Sequence, residues 1–406
     1  MTTIRTELHD LRLNRKPARR ETLPFALPPP RGGQVDVLMI AGEHSGDEHA
    51  ARLLRDLRAQ APDLRVSALG GPEMAAAGAD LLHDLTASSV VGLVEVLKNY
   101  SFFRALFDAT ARWIEVHRPK AVLFIDYPGF NLRLAAALRQ AGLSVKGGGN
   151  VKTLFYISPQ IWAWKAKRRF TMARDLDALA TIFPFEVACY ADTSLPVEFV
   201  GHPFLAADQV APVRYDPTAP ILLLPGSRKQ AVGRIFPLLL KGFEAFGGQR
   251  AHVIHPSPVI EAVLRAAHPP ASVDLLPTGG VVAASAVLTS SGTMSLQCAL
   301  AGIPGAVVYR ANPVTYLIGR WLVKVPYLGI ANLLLKEPMY PEYIQGAATP
   351  AALAAELRDC VGNPERRART LLQAEKLRAC LRQSHGQAAA SWLLRQMQGS
   401  PTRIGG

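Results

Sequence analysis

The chain has 406 residues, 49% of them hydrophobic and 19% charged, so it is long enough for two domains and can bury a sizeable core. No apolar run reaches the roughly 18 residues that cross a bilayer, and charges interrupt the first residues throughout. A spanning anchor and a signal peptide are therefore not expected, and the expected compartment is the cytoplasm. Cys189, Cys298, Cys360 and Cys380 lie far apart with no C-x-x-C spacing, which argues for reduced thiols rather than a disulfide frame or a zinc site. The net charge of +13 fits nucleic acid, anionic lipid or a phosphorylated substrate, and equally a set of solvated arginine-rich helix faces with no partner.

Residues 1–33 carry seven Lys/Arg against three Asp/Glu and end in Pro-Pro-Pro-Arg-Gly-Gly, the composition of a disordered basic arm. Regular structure is expected from Val35–Ile40, which reads as a buried parallel strand. The turn Ala-Gly-Glu-His-Ser-Gly-Asp (41–47) follows, then a helix with Ala50, Leu53, Leu54 and Leu57 on one face. The unit recurs: strand Ala121–Ile125 leads to Asp126-Tyr-Pro-Gly-Phe-Asn131 and a helix through Leu138, and strand Thr153–Ile157 leads to Ser158–Trp164. Residues 205–219 lose periodicity and read as a linker. Strands are then expected at 221–224, 251–255, 273–276, 284–289 and 305–309. This alternation predicts an α/β fold of two doubly wound, Rossmann-like domains facing a cleft, at 34–204 and 220–365, with helices over 366–406 packing back on the first.

Two turns of the second half attract most interest. Gly226-Ser227-Arg228 closes Leu-Leu-Pro-Gly-Ser-Arg, and about sixty residues later comes Ser-Ser-Gly-Thr (290–293). An apolar strand, a turn of small residues and then a helix present free backbone N–H groups and the positive helix end to an anion. Two such turns suggest a diphosphate held from two sides, hence a nucleotide-activated substrate. Arg228 can meet a diphosphate with two hydrogen bonds and so replace a metal, or it is a surface arginine at a strand end. In the first half, Asp126 ends a buried strand before a Pro-Gly turn, where it serves as a general base or caps the following helix. Glu43 and Asp47 share the first turn and can bind sugar hydroxyls, although Asp47 also suits an N-cap. The spacing of His44 and His49 beside Asp47 is unspecific for a metal site, and Asp175-x-Asp177, although spaced like a metal-binding pair, reads as part of a helix surface, so neither a metal nor another cofactor is expected. Trp162 and Trp164, followed by Lys165, Lys167, Arg168 and Arg169, suit a phosphate, lipid headgroups or single-stranded nucleic acid, against plain core packing of the tryptophans. Residues 90–107, with Val90, Val91, Leu93, Val94, Leu97, Phe102 and Phe103, form either a greasy entrance for acyl chains or a buried helix.

Taken together, the ordered motifs resemble one family, lipid A disaccharide synthase, of the GT-B glycosyltransferase architecture. The resemblance rests on Ala-Gly-Glu-His-Ser-Gly-Asp (41–47), Val-Gly-Leu-Val-Glu-Val-Leu (91–97), Phe-Ile-Asp-Tyr-Pro-Gly-Phe-Asn (124–131) and Ser-Pro-Gln-Ile-Trp-Ala-Trp (158–164). It continues through Phe-Pro-Phe-Glu (183–186), Phe-Val-Gly-His-Pro (199–203), Leu-Pro-Gly-Ser-Arg (224–228), Ser-Gly-Thr (291–293), Asn-Leu-Leu (332–334) and Gln345. It implies a transferase that joins UDP-2,3-diacylglucosamine to 2,3-diacylglucosamine 1-phosphate, giving a β-1,6-linked disaccharide and UDP, as a peripheral protein on the anionic inner face of the inner membrane.

The same resemblance makes Asp126 the essential acidic residue. It extends the acceptor site to Glu43, Ser45, Gly46, Asp47, Asn131, Trp162, Trp164 and Arg168. The nucleotide site becomes Gly226, Ser227, Arg228, Ser291, Gly292, Thr293, Gln297, Tyr309, Arg310, Asn332 and Gln345. The chain departs from the family at Ala231 and Gln297, where a Glu is usual, and at Ser285 and Gly129, where an Asp is usual. Gln297 stands where a carboxylate typically holds the ribose hydroxyls; its amide can still accept one hydrogen bond and donate another. Two rivals are an epimerase of UDP-sugars on the same architecture, which has no use for the apolar 90–107 stretch, and a non-catalytic nucleotide- or lipid-binding relative. No recognised nucleic-acid-binding module accompanies the charge, so no nucleic-acid partner is expected.

Overall fold

A computed structural model describes residues 25–88, 100–205, 210–312, 316, 325–382 and 388–398. Two parallel sheets carry the architecture. The first takes seven strands in the order β3-β2-β1-β4-β5-β6-β7: β1 Val37–Ala41, β2 Val66–Gly70, β3 Asp80–Asp84, β4 Ala121–Ile125, β5 Lys152–Tyr156, β6 Ala178–Thr181 and β7 Val197–Phe199. The second takes six, in the order β11-β10-β9-β13-β14-β15. These are β9 Ile221–Leu224, β10 Ala251–His255, β11 Val273–Pro277, β13 Val287–Thr289, β14 Gly305–Tyr309 and β15 Glu342–Ile344. By contacts the chain divides into two compact units, residues 1–51 with 63–152, and residues 52–62 with 153–406.

The continuous apolar runs form strands because both sheet faces are covered. Every residue of β1 and β4 is buried, as is every residue of β9. In the second sheet the core on one face joins Leu223, Val253, Leu288 and Val308 of the strands to Phe236 and Phe243 of the helix Lys229–Phe246 and to Leu353 and Leu357 of the helix Pro350–Gly362. Strands of this kind leave their carboxyl ends, and the turns after them, as the place for a ligand.

Three expectations need correction. The run 284–289 is two strands: β12 (Val282–Ala284) ends before Ser285, and β13 alone enters the six-stranded sheet. The segment read as a linker contains β8 (Val213–Tyr215), which pairs parallel with β12. A three-residue strand shows no periodicity that a sequence pattern can register. The end of the expected arm is packed rather than loose. Phe25 meets His83 and Phe102 edge-on at 5.4 and 5.6 Å, and Trp113 Nε1 donates to the Pro28 carbonyl at 2.8 Å. Residues 1–24 lie outside the described residues.

Towards its end the chain forms the helices Pro350–Gly362, Pro364–Leu381 and Ala388–Gln398. The last is held by Arg395, which pairs with Glu198 of β7 at 2.7 Å, and by Ser391 Oγ, which bonds Gln60 Oε1 at 2.9 Å. The His202 N–H donates to the Leu381 carbonyl.

Candidate active site

The first group of expected residues gathers at the carboxyl end of β4. Asp126 and Tyr127 both take positive φ, 46° and 48°, so the chain turns sharply where the strand stops. Tyr127, with no side-chain cap, is the N-cap of the helix Pro128–Gln140, and Pro128 begins it. Asp126 is therefore not the helix cap, and its carboxylate stays available at the turn. Its carboxyl group is raised to about 6, first by burial and then by the charge of Glu43, against a smaller lowering by the Tyr127 N–H. An Asp that titrates near neutrality suits a base that must take a proton and later release it.

The turn after β1 packs on this one. A side chain at Gly42 would meet the Tyr127 ring at 2.3 Å, and a Cβ at Gly46 would lie 3.7 Å from the Ile125 carbonyl. Glu43 and Ser45 are exposed. Asp47 is buried and wholly engaged: its carboxylate accepts the backbone N–H groups of Gly71, Glu73 and Met74 at 2.8, 3.0 and 3.2 Å. It thus caps the helix Pro72–Ala76 rather than facing a sugar. Asn131 is also fully buried, and its Nδ2 donates to the Asp126 carbonyl at 2.8 Å. Asn131 holds the turn in place from below. The pH profile offers a check on this cluster. Changing Glu43 to Gln removes the charge that keeps Asp126 protonated, so the acid limb of the rate profile, expected near 6, should move down by ~0.5 unit. An unmoved limb would separate Glu43 from Asp126.

The nucleotide-side residues gather at the carboxyl ends of β9 and β13, which are paired neighbours. Gly226 has φ +107°, and a Cβ there would stand 3.0 Å from Ser290 Oγ, so the Pro-Gly-Ser-Arg and Ser-Ser-Gly-Thr turns lie side by side. Ser227 and Arg228 are exposed; the Arg228 carbonyl accepts the Val232 N–H at 3.0 Å, and its guanidinium makes no hydrogen bond or ion pair among the described residues. Thr293 begins the helix Thr293–Leu300, after Gly292 in extended backbone. Gln297 lies one turn in and is buried. Ser291 Oγ donates to the Leu328 carbonyl at 2.8 Å. Tyr309 is half-buried and Arg310 exposed at the end of β14.

Asn332 and Gln345 serve the scaffold of this site. Asn332 is 1% exposed; it donates to the Tyr340 carbonyl and to Glu342, and accepts the Tyr340 N–H. Glu342 in turn accepts the Leu328 and Gly329 N–H groups. Gln345 accepts the Ala311 N–H at 3.1 Å and donates to the Ala311 carbonyl at 3.2 Å. Asn332 is buried and Gln345 half-buried, and a motif reading cannot tell such amides from ones that face a ligand. Of the departures from the family pattern, Ala231 packs against the core of the second sheet, and Ser285 is buried at the break between β12 and β13.

Among the remaining candidates, Trp162 is half-buried and edge-on to Phe185 at 5.5 Å. Trp164 is 46% exposed, with Lys165 Nζ 4.2 Å above its ring and the Arg168 guanidinium 6.0 Å away. Phe170, 49% exposed, carries Arg169 at 4.3 Å. Asp175 pairs with Arg174, and Asp177 accepts from Thr153, so the two acids serve local structure. Phe102 and Phe103 lie on the helix Tyr100–His117, and Phe102 is spent in the cluster with Phe25 and His83. Val90, Val91, Leu93, Val94 and Leu97 fall outside the described residues. No helix among the described residues is long and apolar enough to cross a membrane.

Residues 37–395 match the family model described as lipid-A-disaccharide synthetase. The chain is 35% identical over 356 residues to lipid-A-disaccharide synthase of Nitrosococcus oceani, covering 82% of this chain and 88% of that protein. It is likewise 35% identical over 355 residues to the synthase of Geobacter metallireducens, covering 81% and 88%. Among solved structures it is similar to the UDP-GlcNAc 2-epimerase from Neisseria meningitidis bound to UDP-GlcNAc, with TM-score 0.58 and 10% identity over 89% of this chain and 99% of that one. The spinosyn forosaminyltransferase SpnP gives TM-score 0.56 and 14% identity over 90% and 100%. These likenesses establish the fold as GT-B.

Proposed function

Because this chain belongs to the lipid-A-disaccharide synthase family, we propose that the two strand-end sites described above carry the acceptor and donor chemistry of a disaccharide-forming glycosyl transfer. The enzyme joins UDP-2,3-diacylglucosamine to 2,3-diacylglucosamine 1-phosphate, forming the β-1,6-linked lipid A disaccharide precursor and releasing UDP. Asp126 accepts the proton of the acceptor's 6-hydroxyl as that oxygen bonds to C1 of the donor sugar. The bond from C1 to the diphosphate oxygen breaks on the opposite face, and UDP departs with its new charge. Arg228 and the N–H groups of the adjoining Ser-Gly-Thr turn meet that charge. The single observation that carries the assignment is the pair of adjoining glycine turns beside the exposed Arg228, whose guanidinium has no partner among the described residues, in a chain that matches the family from residue 37 to 395.

The test is turnover of the two acylated glucosamines with and without EDTA. Disaccharide and UDP in equal amounts, unaffected by EDTA, are the expected products. Epimerised UDP-sugar, or UDP binding without turnover, would replace this reading by one of its rivals.

Acylated substrates support a membrane surface as the working place, and Trp164 and Phe170 beneath cationic side chains are suited to meet an anionic leaflet. The double change Lys165→Glu and Lys167→Glu should weaken flotation with phosphatidylglycerol-containing vesicles about tenfold, with no effect on neutral vesicles. Equal binding to both vesicle types by the unaltered protein would remove this surface from the proposal.

A further inference from the structure

Tyr127 is the most strained large side chain near the candidate base. Its backbone sits at φ 48°, ψ 54°, directly after Asp126 at φ 46°. Such a left-handed conformation is disfavoured for any residue with a Cβ, and a bulky aromatic there is a genuine outlier. Strain of this kind persists where the surroundings over-determine it, and it clusters at ligand-binding sites. Here the surroundings are specific. Gly42 is the one residue type that leaves room beneath the ring, since a Cβ at that position would fall 2.3–2.6 Å from three of its atoms. Phe130 stacks on it at 6.1 Å and 27°, and Asn131 Nδ2 ties down the carbonyl of the preceding residue.

The ring is nevertheless only half-buried, and its hydroxyl makes no hydrogen bond among the described residues. Core packing explains neither feature: a core tyrosine is covered and its hydroxyl bonded. Burial first, and then the charge of Glu43, raise the phenol, so it remains a neutral donor at working pH.

We propose that Tyr127 is a specificity-determining residue for the acceptor, its ring supporting the apolar face of the acceptor pyranose and its hydroxyl donating to a polar group of that sugar. The inference rests on the assignment of Asp126 and its turn to the acceptor side. Amphipathic aromatic rings suit this task, because a sugar also presents one apolar face rimmed by hydroxyls. Asp126 and Tyr127 are consecutive in one left-handed turn, so binding and proton transfer share one corner of the fold.

Steady-state kinetics with each substrate varied in turn tests the assignment. In Tyr127→Asn, which tolerates the left-handed backbone, the acceptor KM should rise about five- to tenfold, with the donor KM within about twofold. Tyr127→Phe should recover most of the loss and retain a smaller rise, the share of the hydroxyl. An unchanged acceptor KM in Tyr127→Asn, or an equal rise for both substrates, overturns the proposal. A fall in thermal midpoint with both KM values unchanged gives the ring a structural role only and overturns it too. Turnover by the unaltered enzyme checks the proposed reaction and Asp126→Asn checks the role given to its turn, so failure of either cannot be mistaken for failure of this one.

Discussion

Replacing Asp126 by Asn is expected to slow disaccharide formation about a thousandfold, within the range by which a positioned base accelerates proton transfer, while leaving UDP affinity unchanged. The same change should stabilise the protein at pH 7.5. The carboxyl group of Asp126 rises from 3.8 to about 6 in the folded chain, so the folded state holds its proton more tightly than the unfolded one. Its contribution to stability is thus fully present below 3.8 and is lost as pH climbs to about 6. Above that the fold contains a poorly solvated anion. Asn removes the anion and keeps the shape, for a gain of about 1–2 kcal/mol once solvent screening is allowed for. Loss of activity with a raised thermal midpoint separates a functional carboxylate from a structural one. A variant that is both slow and less stable would point to a scaffold role for Asp126.

Arg228→Ala is expected to lower kcat/KM by about 10²–10³, the scale seen when one donor to a developing charge is removed. Affinity for UDP should fall, while uridine, which lacks the diphosphate, should bind as before. Arg228→Lys should recover little, because an ammonium supplies a point charge where the guanidinium supplies two parallel donors. The structure supports a large effect: Arg228 is the exposed N-cap of the helix Lys229–Phe246, its guanidinium with no partner among the described residues to keep it occupied. If Arg228→Ala bound UDP and turned over normally, the diphosphate would have to lie elsewhere.

Much of this arrangement is legible in the sequence. Strands such as Ala121–Ile125 and Ile221–Leu224 announce themselves because both faces are buried and every position is apolar. Arg228 and Asp126 are legible because they close such strands. Other residues stay ambiguous for a common reason: a polar side chain near a ligand and one folded beneath it have the same letters. Asp47, Asn131 and Asn332 are spent on backbone groups that no local pattern reveals. Tyr127 is not legible, because nothing in Asp-Tyr-Pro-Gly-Phe-Asn signals a left-handed pair; a glycine would, and it stands instead at position 42. Short strands such as Val213–Tyr215 exist only through their partners, in this case Val282–Ala284.

Asn332 and Glu342 carry a consequence for how this protein can diverge. Each satisfies polar atoms of the other and of the backbone at Leu328, Gly329 and Tyr340. Losing either one removes a bond from the other and frees backbone groups on its own side, so the two losses should couple rather than add. Coupling of that kind makes the pair a unit of divergence: relatives of this chain are expected to keep both residues or to exchange both together.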